Sequence, residues 1–197
     1  MIATEVPTRR EDVRRILADV RPGVSRADHS TLTVLVGLPG SGKSWVAKKL
    51  RAQTGATVLE SDALRRRLFS RRSYSAAESR RLFTAIHGAI DELLGQRLSV
   101  VLDATNLVEA ERAPLYEIAD RHRAAIIVVQ VTAPDRVIRR RLAKREAEGA
   151  ASSEAYLRVY ERMRAQVEEI QRQHHAVDTS IATNSTLAAI AEEMNAA

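Results

Sequence analysis

The segment Gly37-Leu38-Pro39-Gly40-Ser41-Gly42-Lys43-Ser44 combines glycines, a lysine and hydroxyls in the order a chain needs to wrap an anion. Glycines let the backbone turn sharply and aim its N–H groups at phosphate oxygens. A helix opening at Lys43 adds the positive end of its dipole at the same place. Lys43 is expected to reach the β- and γ-phosphates of a bound triphosphate, and the Ser44 hydroxyl to ligate Mg²⁺. The expected ATP-binding set is therefore Gly37, Gly40, Ser41, Gly42, Lys43 and Ser44.

Three further groups carry chemistry. Ser61-Asp62-Ala63-Leu64-Arg65 follows an apolar run. There Asp62 could accept the proton of an attacking hydroxyl, and Arg65, three residues along a helix, could hold an acceptor phosphate. The alternative for Asp62 is a plain helix cap. Asp103-Ala104-Thr105-Asn106 ends another apolar run. A carboxylate there commonly holds Mg²⁺, directly or through water, while Thr105 and Asn106 offer neutral hydrogen bonds to acceptor or phosphate. A polar turn stabilised by Asn106 is the competing explanation. Arg141 and Arg145 stand one helical turn apart, beside Arg139, Arg140 and Lys144. Arginines on a mobile element can close over a triphosphate and neutralise developing charge, although a solvated basic face accounts equally well for any one of them.

The elements that must position these residues are legible from periodicity. Residues 31–36 are β-branched and apolar, so the loop at 37 follows a buried strand, and Val46, Ala47 and Leu50 continue into an amphipathic helix. That flanking pattern argues against a glycine-rich turn with no ligand. Residues 56–61, 98–103 and 125–132 read as further strands, with a short one at 176–177. Ser75 to Glu78 forms a capping box ahead of a long helix through Leu82, Ile86, Ile90 and Leu93, which Gly95 is placed to end. Strands that are apolar throughout and alternate with helices imply a parallel sheet covered on both faces. Residues 1–30 form a polar extension with one short helix through Val13 and Ile16, and 31–197 form the main domain, with a charged helical lid near 139–160.

The length of 197 residues suits one domain with a sizeable core. A formal charge of +6 favours anionic partners such as nucleotides, nucleic acid or sugar phosphates. Cysteine is absent, which excludes a disulfide framework and thiolate metal sites. No apolar run approaches the roughly 20 residues needed to cross a bilayer. Residues 1–5 lack the basic-then-apolar order of a signal peptide, so a cytoplasmic location and no membrane partner are expected. Aromatic residues make up only 4%, which argues against an extended stacking groove for single-stranded nucleic acid. Trp45 is expected to pack in the core.

Taken together, Gly-x-x-Gly-Ser-Gly-Lys-Ser at 37–44, Ser61-Asp62-x-x-Arg65, Asp103-Ala104-Thr105-Asn106 and Arg141-x-x-x-Arg145 closely resemble the kinase domain of polynucleotide 5′-hydroxyl kinases. They also resemble the broader group of small AAA-type predicted kinases related to it. The likeness spans residues 31–180. It implies an α/β, three-layer P-loop NTPase fold with a parallel sheet of about five strands and a helical lid. It further implies Asp62 as general base, Arg65 and Asn106 at the acceptor's phosphate, and Arg141 or Arg145 on the donor. The expected function is ATP- and Mg²⁺-dependent transfer of the γ-phosphate to a hydroxyl, a polynucleotide 5′-hydroxyl being the most specific candidate. Metabolite and nucleotide-sugar kinases share such loops, so a small-molecule acceptor stays open, as does an ATP-dependent binding protein without catalysis.

Overall fold

Five strands carry the unbroken apolar runs: β1 (Thr31–Val36), β2 (Thr57–Glu60), β3 (Val100–Asp103), β4 (Ala125–Thr132) and β5 (His175–Asp178). The protein's structure, a computed structural model, describes residues 8–18, 20, 23, 30–147 and 153–196, and for 145–147 and 153–156 the backbone alone. The strands form one parallel sheet in the order β2-β3-β1-β4-β5. Between them run α1 (Arg9–Leu17), α2 (Lys43–Thr54), α3 (Ser61–Leu68), α4 (Ala76–Gly95), α5 (Glu109–His122), α6 (Asp135–Ala147), α7 (Ser153–Arg164) and α8 (Asn184–Ala196).

Alternation along each strand sorts the core into two layers. Leu32, Val34, Leu59, Leu102 and Val128 face α1, α4 and α5, while Leu35, Val101, Ile127 and Val129 face α2 and α8. The expected three-layer α/β fold is the one present. Because Glu60 follows the parity of Val58, and Asp103 that of Val101, both strand-end carboxylates fall on the α2 side. The register sets Glu60 opposite Asp103.

The helices follow local rules with two deviations. In α4, Leu82, Ile86, Ile90 and Leu93 are buried as their spacing predicts. The Ser75 hydroxyl accepts from the Glu78 N–H at 3.2 Å, but the Glu78 carboxylate does not return to Ser75. It binds the Ser73 N–H and hydroxyl and the Arg65 guanidinium instead. The helix ends at Gly95 as expected, although Arg97 rather than Gly95 takes the left-handed conformation (φ 58°). Leu98 N–H to Leu93 O and Arg97 N–H to Leu94 O then close the end. In α2 the buried stripe falls on Val46, Ala47 and Leu50, which turns Trp45 outward, 42% exposed, with the Lys49 ammonium over its ring. The expectation that Trp45 packs in the core does not hold.

The short helix expected within residues 1–30 is α1, and it joins the main core. A helix of nine residues is marginal alone in water. Val13 and Ile16 bury fully against α4, each contributing about 1.5–3 kcal/mol. Buried Asp12 accepts from Arg81 of α4 at 2.6 and 2.8 Å, a bidentate pair that fixes the rotation of α1.

Glu78 couples this region to pH. Burial would raise its carboxyl, but hydrogen bonds from Arg65 and Ser73 hold it at about 2, against an ordinary 4.5. A carboxyl lower in the folded chain than in the unfolded one stabilises fully above the unfolded value, and that stability fades as pH falls through the folded value. Glu78→Gln should therefore flatten the drop in Tm between pH 4.5 and 2. Thermal melts across that range check this; a slope equal to that of the unaltered chain would refute it.

Candidate active site

The loop after β1 takes the shape its glycines permit. Gly42 lies at φ 104°, a conformation side-chain-bearing residues avoid, and a Cβ there would sit 2.9 Å from the Thr179 side chain. At Gly37 a Cβ would stand 2.3 Å from the Val131 carbonyl, so strand β4 approaches too closely for any side chain. The Gly37 N–H donates to Thr105 O at 3.0 Å, which stitches the loop to the residues after β3. Gly40 lies at φ 82° and packs on Ile138 and Leu142 of α6. Gly42 provides no side-chain cap for α2, so the helix presents N–H groups of its first turn to the loop's hollow. Lys43 is buried, and its Nζ donates to Leu38 O at 2.9 Å, folding the ammonium back over the loop.

A cleft of about 400 Å³ runs along α2 and β2, lined by Ser44, Lys48 and Arg51 of α2, Val58 and Glu60 of β2, Leu64 of α3 and Asp103 of β3, with Val20 on one wall. Burial and the Asp103 carboxylate opposite push the Glu60 carboxyl above its ordinary value, and Asp62 adds to the shift. Glu60 escaped sequence reasoning, although it ends β2 as Asp103 ends β3. Asp62 itself is exposed in the first turn of α3. It does not cap that helix, whose N-cap is Glu60 without a side-chain bond. Asp62 is not among the residues lining the cleft.

The remaining expected residues are placed differently from one another. Arg65 is 7% exposed. Its guanidinium donates to Glu78 at 2.5 Å and to the Ser79 hydroxyl at 3.2 Å, and it lies over the Tyr74 ring. Asn106 is 2% exposed at φ 48°, and its amide donates inward to Leu35 O at 2.8 Å. Both were expected at an acceptor phosphate, and both side chains here make contacts within the fold. The Thr105 side chain is half-buried. Arg141 reaches the phosphate loop from outside, donating to Gly40 O and Ser41 O at 3.1 and 3.2 Å. Arg145 belongs to α6, but its side chain lies outside the described residues. The expected lid corresponds to α6 and α7, which pack through Ile138, Leu142 and Tyr160 onto Leu38 of the loop; residues 148–152 lie outside the described set.

The donor set fits a triphosphate and a hard divalent cation. The Ser41 Oγ is buried inside the loop and has no hydrogen-bond partner among the described residues. Ser44 and Asp103 bring hydroxyl and carboxylate oxygens into one cleft, the ligand type Mg²⁺ prefers.

A family model described as AAA domain matches residues 32–170. The chain belongs to this family. Its α/β fold recurs in solved structures at low sequence identity. The Mycobacterium tuberculosis APS kinase CysC, in complex with AMPPNP and APS, superposes with a TM-score of 0.62 at 16% identity, over 83% of this chain and 96% of that one. Chaetomium thermophilum Kti12, in complex with ADP-AlF3, gives 0.62 at 22% identity over 83% and 98%. A Sinorhizobium meliloti gluconokinase gives 0.59 at 22% identity over 85% and 96%. No curated protein sequence matches the chain. The family match shows an AAA domain, and the structural likenesses show that its α/β fold is shared with these proteins. No helix among the described residues is long and apolar enough to cross a membrane.

Proposed function

We propose that this AAA domain is a cytoplasmic, ATP-dependent kinase that moves the γ-phosphoryl group onto a hydroxyl of a small acceptor. One observation carries the proposal: Ser44 of the phosphate loop shares a cleft with Glu60 and Asp103, which end β2 and β3, and Asp62 is exposed in the first turn of the helix that follows β2. The structural neighbours support it, since one is an APS kinase held with both AMPPNP and APS.

In this scheme the loop's N–H groups and Lys43 hold the triphosphate, Lys43 exchanging Leu38 O for phosphate oxygens. Asp62 accepts the proton of the acceptor hydroxyl while that oxygen bonds to the γ-phosphorus and the bond to the β–γ bridging oxygen breaks, releasing ADP. Ser44 and Asp103 would hold Mg²⁺, directly or through water, and the ion would supply charge neutralisation for the triphosphate. Glu60 adds a second carboxylate opposite Asp103 on the neighbouring strand. A lid arginine, Arg145 or Arg141, closes over the donor.

A small acceptor is favoured over a polynucleotide by Arg65 and Asn106, whose guanidinium and amide are engaged with Glu78 and Leu35. Exposed Arg66, Arg71, Arg72 and Arg80 would suit a nucleic-acid backbone, which keeps the 5′-hydroxyl reading in the same test. Labelled ATP and Mg²⁺ are incubated with the chain and a panel of sugars, nucleotide sugars and other metabolites, alongside 5′-hydroxyl DNA and RNA oligomers. Label should pass to a small hydroxyl compound. Transfer confined to the oligomers would reassign the acceptor, and ATP binding without any transfer would favour a nucleotide-dependent binding protein.

A further inference from the structure

We infer that Thr179, just beyond β5, and Arg141 of α6 are positioning residues that hold the phosphate loop in its binding conformation and fasten the lid helix to it. The inference rests on the proposal that the loop receives a triphosphate, and extends it to residues outside the motif.

Thr179 is itself well anchored. Its N–H donates to Thr132 O at 2.9 Å, continuing the β4–β5 ladder by one step. Its hydroxyl donates to Ser41 O at 2.5 Å and accepts from Arg141 Nη1 at 2.8 Å. Arg141 also donates to Thr179 O at 3.0 Å, and its Nη1 spans Gly40 O and Ser41 O. Two consecutive loop carbonyls are thus gripped from outside by one hydroxyl and one guanidinium.

The consequence follows from peptide geometry. In a trans peptide the C=O and N–H point in opposite directions. Fastening Ser41 O to Thr179 therefore turns the Gly42 N–H the other way, into the hollow where phosphate oxygens would lie. Gly42 sits at φ 104° with Thr179 directly against it, so the threonine also blocks the relaxed alternatives of that residue. Ile138 and Leu142, on the same face of α6 as Arg141, pack on Gly40. Any outward swing of α6 has to break the Arg141 contacts, which couples lid position to loop shape.

The test uses the full chain. Thr179→Val keeps the shape and removes the hydroxyl; Thr179→Ser keeps the hydroxyl. In nucleotide-free protein, Thr179→Val should speed exchange of the Ser41, Trp45 and Val46 amides, which donate to Leu38 O and Gly42 O, roughly tenfold, the equivalent of one ordinary hydrogen bond, and leave α4 unchanged. Affinity for AMPPNP with Mg²⁺ should fall by about the same factor, and Thr179→Ser should restore both. Unchanged loop exchange in Thr179→Val, or failure of Thr179→Ser to restore it, overturns the inference. Should Thr179→Val not fold, Arg141→Met must produce the same loop-confined acceleration, and its absence counts equally against the latch. Wild type that binds no AMPPNP would sink the kinase proposal alone, because the exchange measurement still decides the latch.

Discussion

Asp62→Asn should lower phosphoryl transfer by about 10²- to 10⁴-fold, the range lost with a general base, while ATP affinity stays unchanged. Asp62 is exposed and makes no hydrogen bond or ion pair among the described residues, so the substitution removes a proton acceptor and little else. Tm should accordingly move by no more than a degree or two. Turnover at saturating ATP, read beside ATP binding by calorimetry, separates the two effects. The informative rival is Glu60, which faces the cleft with a carboxyl raised by burial and by Asp103. Full activity in Asp62→Asn with loss in Glu60→Gln would transfer the base role to Glu60. Loss of ATP binding in Asp62→Asn would place Asp62 at the donor rather than the acceptor.

The second large effect concerns stability. Arg112→Ala should cost about 3–5 kcal/mol, because a buried cation's removal strands its partners and leaves a cavity. Arg112 is fully buried at 0% exposure. It donates to Asn106 O and Leu107 O at 3.0 Å and to Glu169 O at 3.1 Å, and it pairs with Glu109 at 3.0 Å. Around it, Glu168 N–H binds Leu107 O and the Glu168 carboxylate binds Glu109 N–H. The network ties the turn after Asp103 to the segment following α7. For a chain of this size the loss corresponds to a Tm drop on the order of 10 °C. Arg112→Lys keeps the charge but not the planar fork, and should fall between the two. A thermal melt of Arg112→Ala within two or three degrees of wild type, on the same scale, would show that the carbonyls find other donors.

Local chemistry explains which features could be seen without coordinates. The phosphate loop, its strand and its helix are legible because glycine placement, β-branched runs and 3.6-residue spacing act between near neighbours. The same holds for the five strands and for Asp103 at the end of β3, since parallel sheets gather functional residues at strand ends. The helix that opens beside Asp62 is legible in the same way, whereas the exposure of Asp62, outside the cleft lining, is not.

Only the folded chain decided which polar groups meet across long stretches of sequence. Arg65 and Arg141 are alike as sequence, each an arginine on a basic helix, yet one is locked to Glu78 and the other to loop carbonyls and Thr179. Asn106 points to Leu35, and Asp12 meets Arg81, by the same kind of distant encounter. Glu60 acquires its raised carboxyl from burial and from a neighbouring strand's Asp103. Propensity and periodicity report on a residue's own turn or strand. Charge pairing, desolvation and carbonyl capture depend on which elements pack together, and that is set by burial of the two apolar layers.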